Sequence, residues 1–232
     1  MQELDGGALT RAQVVAVARA GDAVALTDGA LRAVAASRAH IEKLADAEQP
    51  TYGVSTGFGA LAIRHIPPDR RAALQRSLIR SHAAGAGPEV ESEVVRALML
   101  LRLRTLATGR TGVRQSTVEA MAAMLNAGIV PIVHEFGSLG CSGDLAPLSA
   151  VALALIGEGD VRVDGRLVPA AEALRDAGIE PVVLAEKEGL ALINGTDGML
   201  GMLVLAAADL HRLLDIADLT AAMSVEALLG TD

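Results

Sequence analysis

The chain has 232 residues, of which 51% are hydrophobic and 21% charged, a balance that excludes a disordered chain. A formal net charge of −8 argues against a nucleic-acid surface, as do the few aromatic residues, two Phe, one Tyr and no Trp, that could stack on bases. The single cysteine, Cys141, excludes an internal disulfide and a zinc site built from several thiolates. Because the chain has only three aromatic residues, its hydrophobic core must be built from Ala, Leu, Val and Met, which favours closely packed helices.

Signals for a membrane or for secretion are weak in the sequence. The best uncharged apolar candidate, 198–208, has eleven residues, whereas a membrane-spanning helix needs about 18 or more. The first residues, MQELDGG, are acidic where a secretion signal is basic and then apolar. We therefore expect a cytoplasmic protein that binds neither a membrane nor nucleic acid.

The first third of the chain predicts three helices and one glycine-rich loop. Thr10 and Gln13 have the spacing of a capping box, which predicts that a short helix begins there. Asp28 can cap a second helix. Residues 51–66 interrupt the helical pattern with three glycines and are predicted to form a loop. Pro68 then suits the first position of a third helix.

The middle of the chain predicts three further helices and a hairpin. Apolar residues recur at helical spacing over 91–106 and 116–125. From Asp144 the sequence LAPLSAVALALI predicts a helix that is apolar almost all round and is therefore buried. The pair Asp164-Gly165, between VRV and RLV, predicts a small β-hairpin.

The last part of the chain predicts one long helix. We expect residues 184–195 to be irregular and a helix to cover 197–229, with wide apolar faces that need neighbours. The predicted fold is therefore mainly α, with a helical N-terminal domain over 1–196. Residues 197–232 are interpreted as the first helix of a helical bundle that is truncated here.

Three partial motifs in the sequence could carry chemistry. Residues 57–62 partly match a dinucleotide fingerprint, but no strand precedes them. Residues 140–143 resemble a nucleophile elbow, but Asp144 stands where the last glycine belongs. Cys141 could pair with His134 as a thiol and imidazole, although a buried structural cysteine is the alternative.

The run GSLGCSGDLAPL, 137–148, contains more small residues than packing requires ahead of a buried helix. The amide nitrogen of Gly143, unhindered by a Cβ, can attack the carbonyl carbon of Cys141. Loss of water closes a five-membered ring, and loss of the Ser142 hydroxyl as a second water leaves an exocyclic methylene. The product is a conjugated electrophile at the positive end of a helix.

This run resembles the signature of the aromatic amino acid ammonia-lyases. The resemblance implies that Cys141, Ser142 and Gly143 form the prosthetic group 4-methylidene-imidazol-5-one (MIO), with Cys141 where alanine is commoner. Asp144 matches the acid that follows the triad in the family and supports the group. The resemblance implies no metal and no diffusible cofactor.

Two further stretches follow in the order of that family. YGVSTGFG is similar to the loop that carries the catalytic base, which implies this role for Tyr52, and Ser55 stands where asparagine is frequent. Asn194, in the sequence NGT, matches the asparagine that faces the MIO group. The alternatives are a glycine-rich surface turn around an ordinary tyrosine and a simple Asn-Gly turn.

The pair Ser81-His82 bears on the substrate. The resemblance implies that this pair lines the pocket for the substrate ring, and that Ser-His goes with histidine. An imidazole has two polar ring atoms that must be satisfied when buried, and a histidine can exchange a hydrogen bond with it. The alternative for His82 alone is a solvated residue at a helix end.

Taken together, the resemblance implies elimination of ammonia from L-histidine to give trans-urocanate. Tyr52 would remove the β-proton, Ser142 would supply the methylene and Asn194 would position the prosthetic group. Family members are longer homotetramers whose C-terminal half supplies the bundle and an arginine for the substrate carboxylate. The alternatives are an inactive N-terminal fragment that only folds and associates, and a lyase for another aromatic amino acid.

Overall fold

The computed structural model describes residues 1–137 and 143–231, and helices make up 57% of the structure. The predicted mainly α fold is confirmed. In chain order the α-helices of the described residues are α1 (Arg11–Arg19), α2 (Asp28–Asp46), α3 (Pro68–His82), α4 (Ser92–Ala107), α5 (Gln115–Asn126), α6 (Leu145–Leu155), α7 (Ala170–Asp176), α8 (Glu188–Ile193) and α9 (Asp197–Ala227).

Three small sheets join these helices. Strands β1 (Gln2–Leu4) and β2 (Val24–Leu26) pair in parallel. Strands β3 (Ala86–Glu89) and β5 (His134–Phe136) pair antiparallel. The third sheet has the order β4-β6-β7, with all neighbours antiparallel, and is formed by β4 (Val130–Pro131), β6 (Asp160–Val163) and β7 (Arg166–Pro169).

The ends of the first helices follow local capping chemistry. Thr10 and Gln13 form the predicted capping box at α1. The cap of α2 is Thr27, whose hydroxyl accepts from the amide of the third residue of the helix, so the assignment to Asp28 was wrong by one position. Asp28 is the first helical residue, where its charge suits the helix dipole. Pro68 begins α3 as predicted.

The predicted hairpin is confirmed between β6 and β7. Asp164 and Gly165 both have positive φ, 49° and 77°, as a tight two-residue turn requires. The prediction of an irregular segment over 184–195 was partly wrong, because α8 lies within it. Six residues are too few to give a clear period, and the helix is stabilised by tertiary contacts instead.

The core is built from aliphatic side chains around α4 and α6. Both helices lie between other elements, with α4 against α1, α5 and α9, and α6 against α3 and α8. This placement explains why α6 is apolar on nearly every side. Fully buried side chains of these two helices include Leu98, Met99, Leu100, Leu103, Leu106 and Leu148.

The long helix α9 confirms the prediction from the pattern after Asp197, and its two halves differ in burial. Its first turns pack on α4, where a Cβ placed on Gly201 would lie 3.1 Å from the Cβ of Ala97. Arg19 of α1 ties the helix down further through Asp209, at 2.6 Å. Beyond that point the helix exposes a row of large apolar side chains, among them Leu210, Leu213, Leu214, Ile216, Leu219 and Met223.

Among the described residues, the helical stretch Glu188–Ala227 is long enough and apolar enough to cross a membrane. Its most apolar window has a mean hydropathy of 1.6. The sequence predicts no membrane span when only uncharged stretches are considered. An 18-residue window that may contain up to two charged residues does meet the criterion for a span. Of this window, 39% is buried inside the protein. Core helices of soluble proteins meet the same criterion, so the signal for a membrane is weak.

Candidate functional site

The structure brings Gly143 and Asn194 into contact. Gly143 lies directly before α6, and Asn194 ends α8. A Cβ built on Gly143 would lie 3.1 Å from Oδ1 of Asn194 and 3.2 Å from the carbonyl oxygen of Gly195. Any larger residue at position 143 would therefore press into the turn between α8 and α9, so the close approach favours glycine.

Asp144 joins the same group of residues. Its backbone amide donates to the carbonyl oxygen of Gly195 at 2.6 Å. Its carboxylate accepts from the amide of Met199 at 3.0 Å. Met199 is the third residue of α9, so the negative charge of Asp144 lies at the positive end of that helix. Asp144, which the sequence predicts to support the MIO group, thus links the start of α6 to the start of α9.

Sequence reasoning missed Arg102, which lies under the turn at Asn194. Its side chain is 3% exposed, and its guanidinium binds the carboxylate of Asp197, with Nε at 3.0 Å from Oδ2. A second edge of the guanidinium donates to the carbonyl oxygens of Ala191, at 2.9 Å, and of Asn194, at 3.1 Å. A Cβ on Gly195 would overlap this ion pair. The turn therefore closes around a buried charge.

The buried Glu188 holds the other end of α8. It is 0% exposed and accepts hydrogen bonds from Arg114, from the Thr117 hydroxyl at 2.6 Å and from the amide of Ala185 at 2.8 Å. Burial alone raises the pKa of Glu188, but these hydrogen bonds outweigh it and hold the pKa below its ordinary value. Gln75 of α3 adds a bond to the amide of Gly189 at 2.9 Å.

Ser81 and His82 lie at the end of α3. Nδ1 of His82 is 2.9 Å from the carbonyl oxygen of Leu78 and 2.9 Å from Oγ of Ser81. A carbonyl oxygen only accepts, so a hydrogen bond from His82 to Leu78 requires the proton on Nδ1 and leaves Nε2 free of that bond. The chain then runs into β3, next to β5, which precedes the segment that contains Cys141.

Tyr52 lies in the loop between α2 and α3. Its side chain is 51% exposed and meets the ring of Phe58 edge to face, with the centroids 6.0 Å apart. A Cβ on Gly53 would lie 3.0 Å from Leu190 of α8. The loop thus contacts α8 four residues before Asn194, while the tyrosine remains open to solvent.

Of the predicted site residues, the structure brings Gly143, Asp144 and Asn194 into one contact group. Cys141 and Ser142 lie outside the described residues, as does most of the resemblance to a nucleophile elbow. Nδ1 of His134 donates to the carbonyl oxygen of Gly87 at 2.9 Å. Residues 57–62 form loop and a single turn of 3₁₀ helix, so the dinucleotide fingerprint lacks its strand. Over 1–137 and 143–231, no cluster of three acidic, His or Cys side chains could hold a metal.

A family model described as aromatic amino acid lyase matches residues 9–232, so the chain belongs to this family. The relative from Streptomyces coelicolor, named histidine ammonia-lyase, is 62% identical over 97% of this chain. A relative from Halobacterium salinarum, named probable histidine ammonia-lyase, is 47% identical over 98% of the chain.

Solved structures show the same fold. Histidine ammonia-lyase from Trypanosoma cruzi matches 100% of this chain and 45% of its own, with a TM-score of 0.92 and 37% identity. The two relatives above are likewise covered only over 44% and 43% of their lengths. The chain therefore spans less than half the length of the relatives it matches.

Proposed function

We propose that this chain is the MIO-bearing part of a histidine ammonia-lyase, which eliminates ammonia from L-histidine to give trans-urocanate. The observation that carries the proposal is the contact between Gly143 and Asn194, two residues that the family motifs single out independently. The relative from Streptomyces coelicolor, 62% identical, supports histidine over another aromatic amino acid as the substrate.

The residues around Gly143 fit a prosthetic group formed from Cys141, Ser142 and Gly143. A Cβ at position 143 would fit only tightly, 3.1 Å from Oδ1 of Asn194. The backbone amide of the next residue, Asp144, donates to the carbonyl oxygen of Gly195. Both contacts restrain the backbone where the ring would close. The MIO group would supply an electrophilic methylene that takes up electron density from the substrate.

The other residues of the site would bind the substrate and move its proton. His82, with Nδ1–H held by Leu78, would accept an N–H of the substrate imidazole at Nε2. Tyr52 would take the β-proton as general base, and its exposed position at a glycine-rich loop leaves its hydroxyl accessible. Asn194 would orient its side-chain amide toward the MIO group.

The same proposal assigns the exposed face of α9 to the rest of a longer protein. We place the domain division between 196 and 197, so that the second half of α9 extends into a helical bundle and a homotetramer. Neither a nucleic acid nor a membrane is proposed as a partner, and the location is cytoplasmic. A second function, a folding and association unit without activity, is favoured by the apolar side chains that α9 exposes.

An absorbance assay for urocanate separates the two functions. The 232-residue chain alone is expected to show little or no turnover, because a cationic clamp for the substrate carboxylate, worth about 1.5–3 kcal/mol, would come from the longer protein. Joined to the C-terminal part of the Streptomyces coelicolor relative, the chain should release urocanate from histidine and little cinnamate from phenylalanine. No urocanate from a folded, tetrameric joined protein would overturn the proposed activity.

Size-exclusion chromatography with light scattering is the companion measurement. The chain alone should self-associate, since Leu210, Leu213 and Leu214 of α9 are exposed. A compact monomer that turns over histidine at about 1–10³ per second would contradict the assignment of essential residues to the longer protein.

A further inference from the structure

Arg102 contacts both sides of the turn that carries Asn194, and neither the motifs nor the proposed reaction assign it a role. We propose that Arg102, paired with Asp197, is a positioning residue that fixes the Asn194 side chain against Gly143. The inference rests on the proposed function, because it concerns the place where the MIO group would form.

Arg102 donates hydrogen bonds to three residues of the turn. One edge of the guanidinium holds the carboxylate of Asp197, the first residue of α9. The other edge donates to the carbonyl oxygens of Ala191 and Asn194 at the end of α8, which lack partners within that helix. A planar group with five fixed donors can meet all three at once.

The turn contacts the residues just before α6, so its position affects where they lie. The carbonyl oxygen of Gly195 accepts the amide of Asp144, and Oδ1 of Asn194 closes the space beside Gly143. If Arg102 is removed, both carbonyls of α8 lose their donor and the turn can relax away from Gly143. The approach of Asn194 then loses its restraint.

A purely structural pair would behave differently on replacement. Exchange of a buried ion pair for apolar residues of similar volume is often neutral for stability, whereas removal of one partner is costly. The double variant Arg102→Met/Asp197→Leu should therefore fold, but methionine cannot donate to the carbonyls of Ala191 and Asn194. This variant separates folding from positioning.

Arg96 provides a matched control on the same helix. It is half-buried in α4 and donates only to backbone carbonyls, those of Val17, at 2.8 and 3.1 Å, and Leu125, at 3.3 Å. These carbonyls belong to α1 and α5 and not to the turn at Asn194. Arg96→Met removes comparable hydrogen bonds without touching Asn194.

The first measurement is hydrogen exchange at the amide of Asp144, which is bonded to Gly195. In the double variant we expect exchange at least about tenfold faster than in the unmodified chain, with thermal unfolding nearly unchanged. Arg96→Met should leave this amide as it was. If the double variant does not fold, Arg102→Lys is the second variant, because it keeps a charge beside Asp197 but lacks the fork of donors that meets Asp197, Ala191 and Asn194 at once. It should show the same change, and unchanged exchange in the variant that folds overturns the proposal.

The second measurement is the absorbance of the MIO group, which a merely structural role would not move in a folded variant. We expect the absorbance of the double variant to fall at least about tenfold relative to Arg96→Met, because a loosened turn slows ring closure. Full absorbance in the folded double variant overturns the proposal. If the unmodified chain itself lacks the absorbance, the proposed prosthetic group is wrong, and the exchange at Asp144 alone decides the role of Arg102.

Discussion

The turn at Asn194 and the loop around Tyr52 flank the same short helix, and different forces hold them. Buried charge fixes the turn, since the Arg102–Asp197 pair fills the space beneath Gly195. The loop is fixed by its own backbone, because the carbonyl oxygen of Thr51 accepts from three of the amides that follow it. Tyr52 itself is half exposed.

This difference matches the two roles that the proposed reaction needs. A residue that holds a prosthetic group must stay still, and a buried ion pair with backbone acceptors restrains Asn194 strongly. A base that meets an entering substrate must be reachable, and the loop leaves Tyr52 accessible. Substitutions that overfill the turn or leave one of its buried charges unpaired should therefore change stability, and substitutions of Tyr52 should change turnover alone.

The largest expected effect is on turnover, from Tyr52→Phe. Removal of a positioned general base costs about 10²–10⁴-fold in rate, whereas an exposed hydroxyl contributes little to folding. The comparison uses the chain joined to a C-terminal part from a relative, with initial rates of urocanate formation and thermal unfolding measured on the same samples. A near-normal rate would reduce Tyr52 to a packing residue beside Phe58.

The next effect is on stability, from Glu188→Ala at the far end of α8. The change leaves Arg114, Thr117 and two backbone amides without their acceptor. A hydrogen bond to a charged group contributes about 1.5–3 kcal/mol, and several are lost together. Urea unfolding measures the loss of stability, with the exposed Glu172→Ala in α7 as the control. Equal midpoints for both variants would show that Glu188 does not anchor α8.

Glu188→Gln tests whether the stability that this contact contributes depends on pH. The folded pKa of Glu188 lies below its ordinary value of 4.5, because hydrogen bonds to the charged form outweigh burial. Its stabilisation is therefore complete above that value and is lost as the pH falls through the lowered folded pKa. The difference in unfolding free energy between the unmodified chain and Glu188→Gln should shrink in acid, and a constant difference from pH 7 to pH 3 would contradict this.

The smallest effect is expected from Gly195→Ala. The added Cβ would overlap the guanidinium of Arg102 and the carboxylate of Asp197, and such overpacking costs about 1–3 kcal/mol. Gly29→Ala, in the first turn of α2, adds a Cβ that would meet the Thr27 hydroxyl at an ordinary contact distance of 3.7 Å, and it should be neutral or stabilise the chain by up to about 1 kcal/mol. If both substitutions behave alike in thermal unfolding, the turn is not closed around the ion pair.

The sequence predicted the elements whose signals are local. The capping box at Thr10, the proline at 68 and the Asp164-Gly165 turn each specify their conformation within a few residues, and α6 and α9 have long apolar patterns. Helix α8 was not predicted, because it has only six residues and is stabilised by the tertiary hydrogen bonds of Glu188 and Gln75.

Arg102 could not be located from the sequence for a related reason. Its partners lie 89 to 95 residues away, and the sequence of α4, which also holds Arg96 and Arg104, does not indicate what any one of these charges binds. The motif residues Asn194, Gly143 and Asp144 were found because their residue types resemble a family pattern. The contacts that hold these residues together came only from the fold.

The mass of the intact 232-residue chain tests the central claim most directly, because Gly143 and the residues that meet it in the structure, Asn194 and Gly195, are within it. The account predicts that the chain is lighter by two waters than its sequence requires, and that Ser142→Ala loses no such mass, since it has no side-chain hydroxyl to eliminate. Tyr52→Phe, which the account places in turnover and not in ring closure, should show the same two-water loss as the unmodified chain. An unmodified chain with the full mass of its sequence would contradict the claim that Cys141, Ser142 and Gly143 form the prosthetic group.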